Sequence, residues 1–329
     1  MTERRPSLGH SRSESAWVAT DCGLCGASSH ATERLFAVAH ADAPDGHTYI
    51  VRCTSCRLIR LDPRPSRGSI GTYYENSYLA FGGRSRSKRL QQLWELLRDA
   101  AAGAPLPSAS RPFRSVLGMI GRHRFDITVT LGSEPKRVLD VGCGFGDLLI
   151  YLSSRGCEVL GVDFDERAAA TAATYGLRVH VGDPERIPAP DGYFTTAVLS
   201  HSLEHIPDPK RVLREVHRLV EPGGQIHLAV PNGAAAGLHL QQSRFGHLAV
   251  PLHFWFYDEA TLGRLLMEAG FGVTSVRYRM TWGTHAVAWR ALRAHAGLRP
   301  ALKEALAIAL AVTVRRQRGD ILKVQAHRL

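Results

Sequence analysis

The sequence has no apolar stretch approaching the roughly 20 residues that a membrane-spanning helix needs. Its longest apolar run, around Ala305–Val314, falls far short of that. The opening residues, Met1–Ala16, carry charges and serines but no apolar centre. They do not read as a secretory signal and are expected to be disordered. No internal repeat and no low-complexity tract occurs, so a solenoid or fibrous architecture is not indicated. Acidic residues are in short supply, with 30 Asp and Glu against 41 Lys and Arg, a net charge of +11. The basic surplus thickens at Arg84–Arg98, Arg111–Arg124 and Arg290–Arg318. Such a field favours anionic partners: phosphorylated small molecules, anionic lipid surfaces or nucleic acid. A solvated basic surface is the plainer alternative. These features lead us to expect a cytoplasmic protein, with peripheral contact at the inner membrane face as an extension of that reading.

What is present is 329 residues of ordinary globular composition, 44% hydrophobic, enough for one large α/β domain and a small satellite. Six cysteines occur, four of them as two CxxC pairs, Cys22/Cys25 and Cys53/Cys56. Without a secretory signal, paired knuckles point to metal rather than disulfides. Each CxxC turn offers two thiolates, and four complete a tetrahedral zinc site with no open position, hence a structural one. We read residues 17–78 as this zinc-binding, zinc-ribbon-like module, and 79–132 as a helical connector carrying a helix over Lys88–Ala102. Residues 133–329 alternate apolar strands with helices, the mark of a parallel sheet with crossover helices. Expected strands are Arg137–Val141, Glu158–Asp163, Arg178–Gly182, Phe194–Ser200, Gln225–Val230, Gly272–Arg279 and Ile321–Ala326.

The first of these strands runs into Val138-Leu-Asp-Val-Gly-Cys-Gly-Phe-Gly146. Glycines there permit tight backbone geometry and close approach of a ligand. Nicotinamide sites share such spacing, but two acids shift the reading. Asp140 precedes the first glycine, and Asp147 stands where a third dinucleotide-site glycine would fall. Either carboxylate would repel a pyrophosphate, whereas Asp140 suits a cationic amine. Asp163 closes the second strand, where an acid accepts from ribose hydroxyls. Asp183 closes the third and can accept from an adenine amine. A helix cap or loop acid is the alternative for each.

The turn VLDVGCGFG, the strand end GVDFD, the segment VGDPERIP and the block LSHSLEHIPDP together resemble class I S-adenosylmethionine-dependent methyltransferases. They look closest to the ubiquinone- and menaquinone-type group. The resemblance implies an α/β, Rossmann-like, seven-stranded methyltransferase sheet whose last strand runs antiparallel. It implies that Asp140, Gly142, Cys143 and Gly144 hold the methionine end of S-adenosylmethionine and Asp163 the ribose. Asp183 with Pro184 would hold the adenine, Phe164 would pack on its ring, and Ser200 would border the site. The cysteine segment, from Tyr49 to Pro63 with Tyr73, Tyr74 and Tyr78, resembles the zinc module preceding bacterial sugar C-methyltransferases.

Beyond the fourth strand, Ser200-His-Ser-Leu-Glu-His-Ile-Pro-Asp-Pro209 falls where open α/β sheets place their ligand crevice. His201 and His205 are candidate bases there, since a hydroxyl acceptor must lose its proton; for His205 the alternative is a helix-start histidine that orients the loop. Relatives that methylate catechol-type oxygens carry an ExxEH metal motif at this block. Here His201 replaces the first glutamate, while Glu204 and His205 match the rest, so metal assistance is not expected. Pro251-Leu-His-Phe-Trp-Phe-Tyr257 is read mainly as core, with His253 as a third candidate base facing the pocket. Residues 282–318 read as a basic, Trp-bearing helical insertion that packs on the domain or on a second copy as a homodimer; a membrane-surface contact is the alternative.

The activity expected is methyl transfer from S-adenosylmethionine to a small-molecule, sugar or lipid- or glycan-linked acceptor. The zinc module and basic charge leave an RNA methyltransferase as an alternative. The fourth strand lacks the Asn/Asp-Pro-Pro-aromatic motif usual in RNA base methyltransferases, so nucleic acid is not the expected partner. A non-catalytic zinc-dependent binding protein is the remaining alternative.

Overall fold

The computed structural model describes residues 16–74, 88–102, 115–118, 127, 129, 136–279 and 319–329. The expected insertion at 282–318 lies outside them, as does nearly all of the N-terminal stretch 1–16.

The larger sheet has seven strands. They are β6 (Arg137–Val141), β7 (Glu158–Asp163), β8 (Val179–Val181), β9 (Phe194–Ser200), β10 (Val220–Pro231), β12 (Phe271–Arg279) and β13 (Ile321–Arg328). Their spatial order is β12-β13-β10-β9-β6-β7-β8. Strands β8, β7, β6, β9 and β10 run parallel, and β13 inserts antiparallel between β10 and β12. The central strands are buried on both faces, which is why β6 and β9 read as near-continuous apolar runs. Among the described residues the helices packing alongside are α2 (Asp147–Ser153), α3 (Glu166–Ala173), α4 (Pro209–Leu219), α5 (Ala236–Gln241) and α6 (Glu259–Glu268).

The helix starts explain themselves. The Asp208 side chain accepts from the Arg211 N–H and Pro209 occupies the first turn of α4, where a missing N–H costs nothing. Val212, Leu213, Val216 and Leu219 then form the buried stripe. In α6, Asp258 and Thr261 cap each other reciprocally. Helix α1 (Lys88–Ala102) docks on α2, with Asp99 accepting from Tyr151 Oη at 3.0 Å and Arg155 Nε at 2.8 Å.

The N-terminal region makes a second sheet from β2 (Thr32–Ala39), β3 (His47–Cys53) and β4 (Ile59–Asp62), an antiparallel meander. Its fourth strand, β11 (Trp255–Phe256), comes from the chain beyond β10 and pairs with β4. The short strands β1 (Trp17–Val18) and β5 (Arg64–Pro65) pair with each other. One continuous apolar cluster joins Cys22, Leu24, Cys53 and Leu58 to Leu139, Leu199, Leu228 and Trp255. The cysteine region therefore shares both a sheet and a core with the seven-stranded body.

Candidate active site

The candidate site residues of the larger domain lie at the carboxyl ends of the parallel strands, except His253, which stands just before β11 and joins them through its ring contact with His205. β6 ends in the glycine turn, where Gly142, Gly144 and Gly146 all adopt left-handed φ values (77°, 53° and 80°). At Gly142 a Cβ would also meet the Ser202 Cβ at 2.4 Å, so glycine is required twice over. Cys143 turns inward, and burial pushes its thiol well up, so it is a spacer and not a nucleophile. The Asp163 carboxylate at the end of β7 buttresses the turn, accepting from the Gly144 N–H at 2.8 Å and the Asp165 N–H at 3.1 Å. Asp140 is buried beneath it. Burial first, and the neighbouring Asp163 carboxylate second, push its carboxyl up to about 7, against a smaller opposite pull from Arg98. Asp183 and Pro184 follow β8; Asp183 accepts from the Glu185 N–H at 3.0 Å and from Arg67 Nη2 at 2.8 Å. Phe164 is 49% exposed, an apolar ring presented beside these acids.

On the other side of the crevice, Ser200 closes β9 and His201 follows in a left-handed conformation, φ 54°, rare for a non-glycine residue. The 3₁₀ turn Leu203–His205 then places Glu204 and His205 inward. Glu204 is 0% exposed and neither carboxylate oxygen has a hydrogen-bond partner among the described residues, although His201 Nδ1 approaches one at 3.4 Å. The rings of His205 and His253 stand edge to face at 4.6 Å. His253 Nδ1 donates to the His247 carbonyl at 2.8 Å, which leaves Nε2 as its acceptor. Burial lowers His205 to about 4 and His253 to about 3, so both rings are neutral near pH 7. One donor atom each from Glu204, His205 and His253 lies within 4.8 Å of the others, a spread that a single cation could bridge. The three candidate bases thus converge on Glu204 in one polar cluster, buried at Glu204 and His253 and partly exposed at His201.

The two cysteine knuckles also converge. Cys22 Sγ and Cys56 Sγ lie 3.4 Å apart, and Cys25 Sγ and Cys53 Sγ 3.6 Å apart. All four sulfurs fall within 4.8 Å of one another and none is in a disulfide. A tetrahedron with bonds of about 2.3 Å has edges of about 3.8 Å, so the four thiols fit one zinc ion.

Three features were not legible in the sequence. Tyr74 reaches across to Phe164, with ring centroids 4.6 Å apart, and to His205 at 5.9 Å. Arg67 bridges Asp183 and Glu185. Trp255 and Phe256, read as core, are core and also a strand. All three depend on contacts between distant segments, and the adjacent Tyr73-Tyr74 pair was the only local sign.

A family model described as "Methyltransferase domain" matches residues 122–276. Over 108 residues the chain is 40% identical to the "Ubiquinone biosynthesis O-methyltransferase" of Pseudomonas aeruginosa (strain LESB58), covering 31% of this chain and 47% of that protein. The same-named protein of Chromobacterium violaceum is 30% identical over 154 residues, covering 43% of this chain and 66% of that one. The chain thus spans about half to two thirds of the length of these curated relatives. Among solved structures, an S-adenosylmethionine dependent methyltransferase from Mesorhizobium loti overlaps 59% of this chain and 91% of its own, at 22% identity and a TM-score of 0.42. With the strand order, the glycine turn and its acids in place, the match identifies residues 122–276 as a class I S-adenosylmethionine-dependent methyltransferase domain.

Proposed function

We propose that the chain transfers the methyl group of S-adenosylmethionine to a small-molecule acceptor, of sugar, lipid-linked or glycan-intermediate type. The observation that carries this is the set of three acids, Asp140, Asp163 and Asp183, at the ends of adjacent strands around one glycine turn. In this reading Asp140 faces the cofactor amine, the Gly142–Gly144 backbone the carboxylate end, Asp163 the ribose, and Asp183 with Pro184 the adenine. Phe164 offers its exposed ring to the base. When bound, the cofactor supplies an activated methyl and its own leaving group. The protein then has to align the acceptor, exclude water and take up a proton.

For proton uptake the neutral His253 and His205 are the groups in place, and His201 lies at the mouth beside them. The orphaned carboxylate of Glu204 supports a second reading of the same pocket. Glu204, His205 and His253 would hold a divalent cation, which would lower the pKa of an acceptor hydroxyl. The four cysteines hold structural zinc in either reading, and the donor set supports it: four thiols at tetrahedral spacing with no open position.

A thermal-unfolding comparison tests the cofactor class. S-adenosylmethionine and its demethylated product should each raise the melting temperature, whereas NAD and FAD should not. Stabilisation by a dinucleotide and not by the sulfonium would overturn the reading.

A further inference from the structure

The cysteine module does more than precede the methyltransferase domain; its last residues lie on the cofactor crevice. Arg64 is clamped between the Phe254 ring, 4.6 Å away, and the Trp255 ring, 4.8 Å away, and donates to the Pro207 carbonyl at 3.3 Å. The chain leaving that clamp is held down at once: the Ser66 N–H donates to the Ala16 carbonyl at 2.9 Å and Ser69 Oγ donates to the same oxygen at 2.6 Å. Arg67 then reaches the opposite bank. Its guanidinium pairs with Asp183 at 2.8 Å and with Glu185 at 3.1 Å. The Glu185 side chain is only 3% exposed and takes Arg211 on its other oxygen at 3.1 Å. This is a built anchorage and not a chance surface pair, since a buried acid is satisfied by it.

Two adjacent tyrosines continue the strap and face opposite ways. Tyr73 packs into the module, its ring 6.1 Å from Trp17 and its hydroxyl accepting from the Trp17 indole at 3.0 Å. Tyr74 packs into the crevice against Phe164 and His205. Burial, then the carboxylates of Glu204 and Asp163, push its phenol upward. At a 4.6 Å centroid separation no base fits between Tyr74 and Phe164, because an inserted ring would need about 7 Å, two contact distances of ~3.5 Å. Tyr74 therefore holds the Phe164 ring in an edge-on contact, and the base has to meet Phe164 elsewhere than between these two rings.

We propose that residues 66–74 form a strap completing the cofactor site, with Tyr74 a positioning residue, supplied by the cysteine module, that holds Phe164 in place for the adenine, and Arg67 the residue that anchors the strap. The inference rests on the cofactor reading given above. Neither residue falls within the span matched by the methyltransferase family model.

The test is titration calorimetry of S-adenosylmethionine into the full, zinc-loaded chain and its variants. Tyr74→Ala should raise Kd about tenfold and Tyr74→Phe less than twofold, because the ring and not the hydroxyl carries the contact. Arg67→Ala should raise Kd about threefold, a modest effect because the guanidinium is half exposed, and Arg67→Lys should recover most of it. Melting temperatures of the variants report whether they are folded. Folded Tyr74→Ala and Arg67→Ala proteins that bind as tightly as wild type, or more tightly, overturn the proposal. Absence of binding by the wild type would instead remove the cofactor reading beneath it.

Discussion

Trp255 and Arg60 sit in backbone register across an antiparallel pair, and this pairing fuses the cysteine module to the methyltransferase domain. The indole Nε1 of Trp255 donates to the Ile206 carbonyl at 2.7 Å, and its ring lies where a side chain at Gly23, inside the first knuckle, would stand. Arg60 is 0% exposed and answers Asp62 at 3.2 Å. One loop thus touches the knuckle, the module's sheet and the turn bearing His205. Replacing Trp255 by alanine should destabilise the protein by about 3–5 kcal/mol, the usual cost of emptying a fully buried indole site. Chemical unfolding would read this, and a loss under 1 kcal/mol would show that the two parts are not coupled through this residue.

The four thiols predict one zinc ion per chain. Cys53→Ser or Cys56→Ser should lose it, by elemental analysis, and lower the melting temperature by several degrees at least. Full retention of stability after metal removal would show that the knuckles fold without an ion.

Asp140 predicts a pH dependence of binding. Its carboxyl, raised to about 7 in the free protein, is protonated below that pH, while an amine-bearing cofactor needs it ionised. Below about pH 7 binding must therefore release a proton, and affinity should fall up to tenfold per pH unit; above it, affinity should level off. Asp140→Asn should bind weakly and flatten the profile. A wild-type Kd constant from pH 8 to 6 would contradict this assignment.

His227 lies outside the site and supplies a stability switch. It is buried in β10, with Gln325 Nε2 donating to its Nδ1 at 3.3 Å and its Nε2 donating to Gln225 Oε1 at 3.2 Å, so the neutral ring is satisfied. Burial, then Lys136, lowers it to about 4 from an ordinary value of 6.5. The unfolded chain binds the proton first, so this contribution is complete above pH 6.5 and lost as pH falls towards 4. His227→Gln should lose less stability than wild type between pH 7 and 5, as measured by urea unfolding. An identical loss would place the acid sensitivity elsewhere.

The proposed histidine bases should separate from the proposed binding residues. His253→Ala and His205→Ala should leave the Kd for S-adenosylmethionine within about twofold of wild type. Turnover with a hydroxylated acceptor should fall by roughly 10²-fold or more, the scale of general-base catalysis. Unchanged turnover in both variants would exclude the pair as bases.

The seven-stranded sheet was legible because a parallel strand buried on both faces has to be a short apolar run between turn signals. Seven such runs stood in the chain from Arg137 to Ala326, and the observed strands differ mainly at their ends: β10 begins at Val220 rather than Gln225. Asp140, Asp163 and Asp183 were legible for the same reason, since a strand end fixes which side of the sheet an acid reaches. Strand β4 was missed because all four of its residues are buried, including Arg60 and Asp62, which read as surface charges until they are seen paired. Strand β11 was missed because two residues carry no period. Tyr74 and Arg67 were missed because their roles come from packing across the chain, not from any local pattern.

S-adenosylmethionine binding at the strand tips is the central prediction for this chain. Calorimetric titration into the zinc-loaded protein at pH 8 should give a saturable signal at one site per chain, with Asp163→Ala weakened about tenfold or more. No heat from the wild type, or an Asp163→Ala variant that binds as tightly, would contradict it.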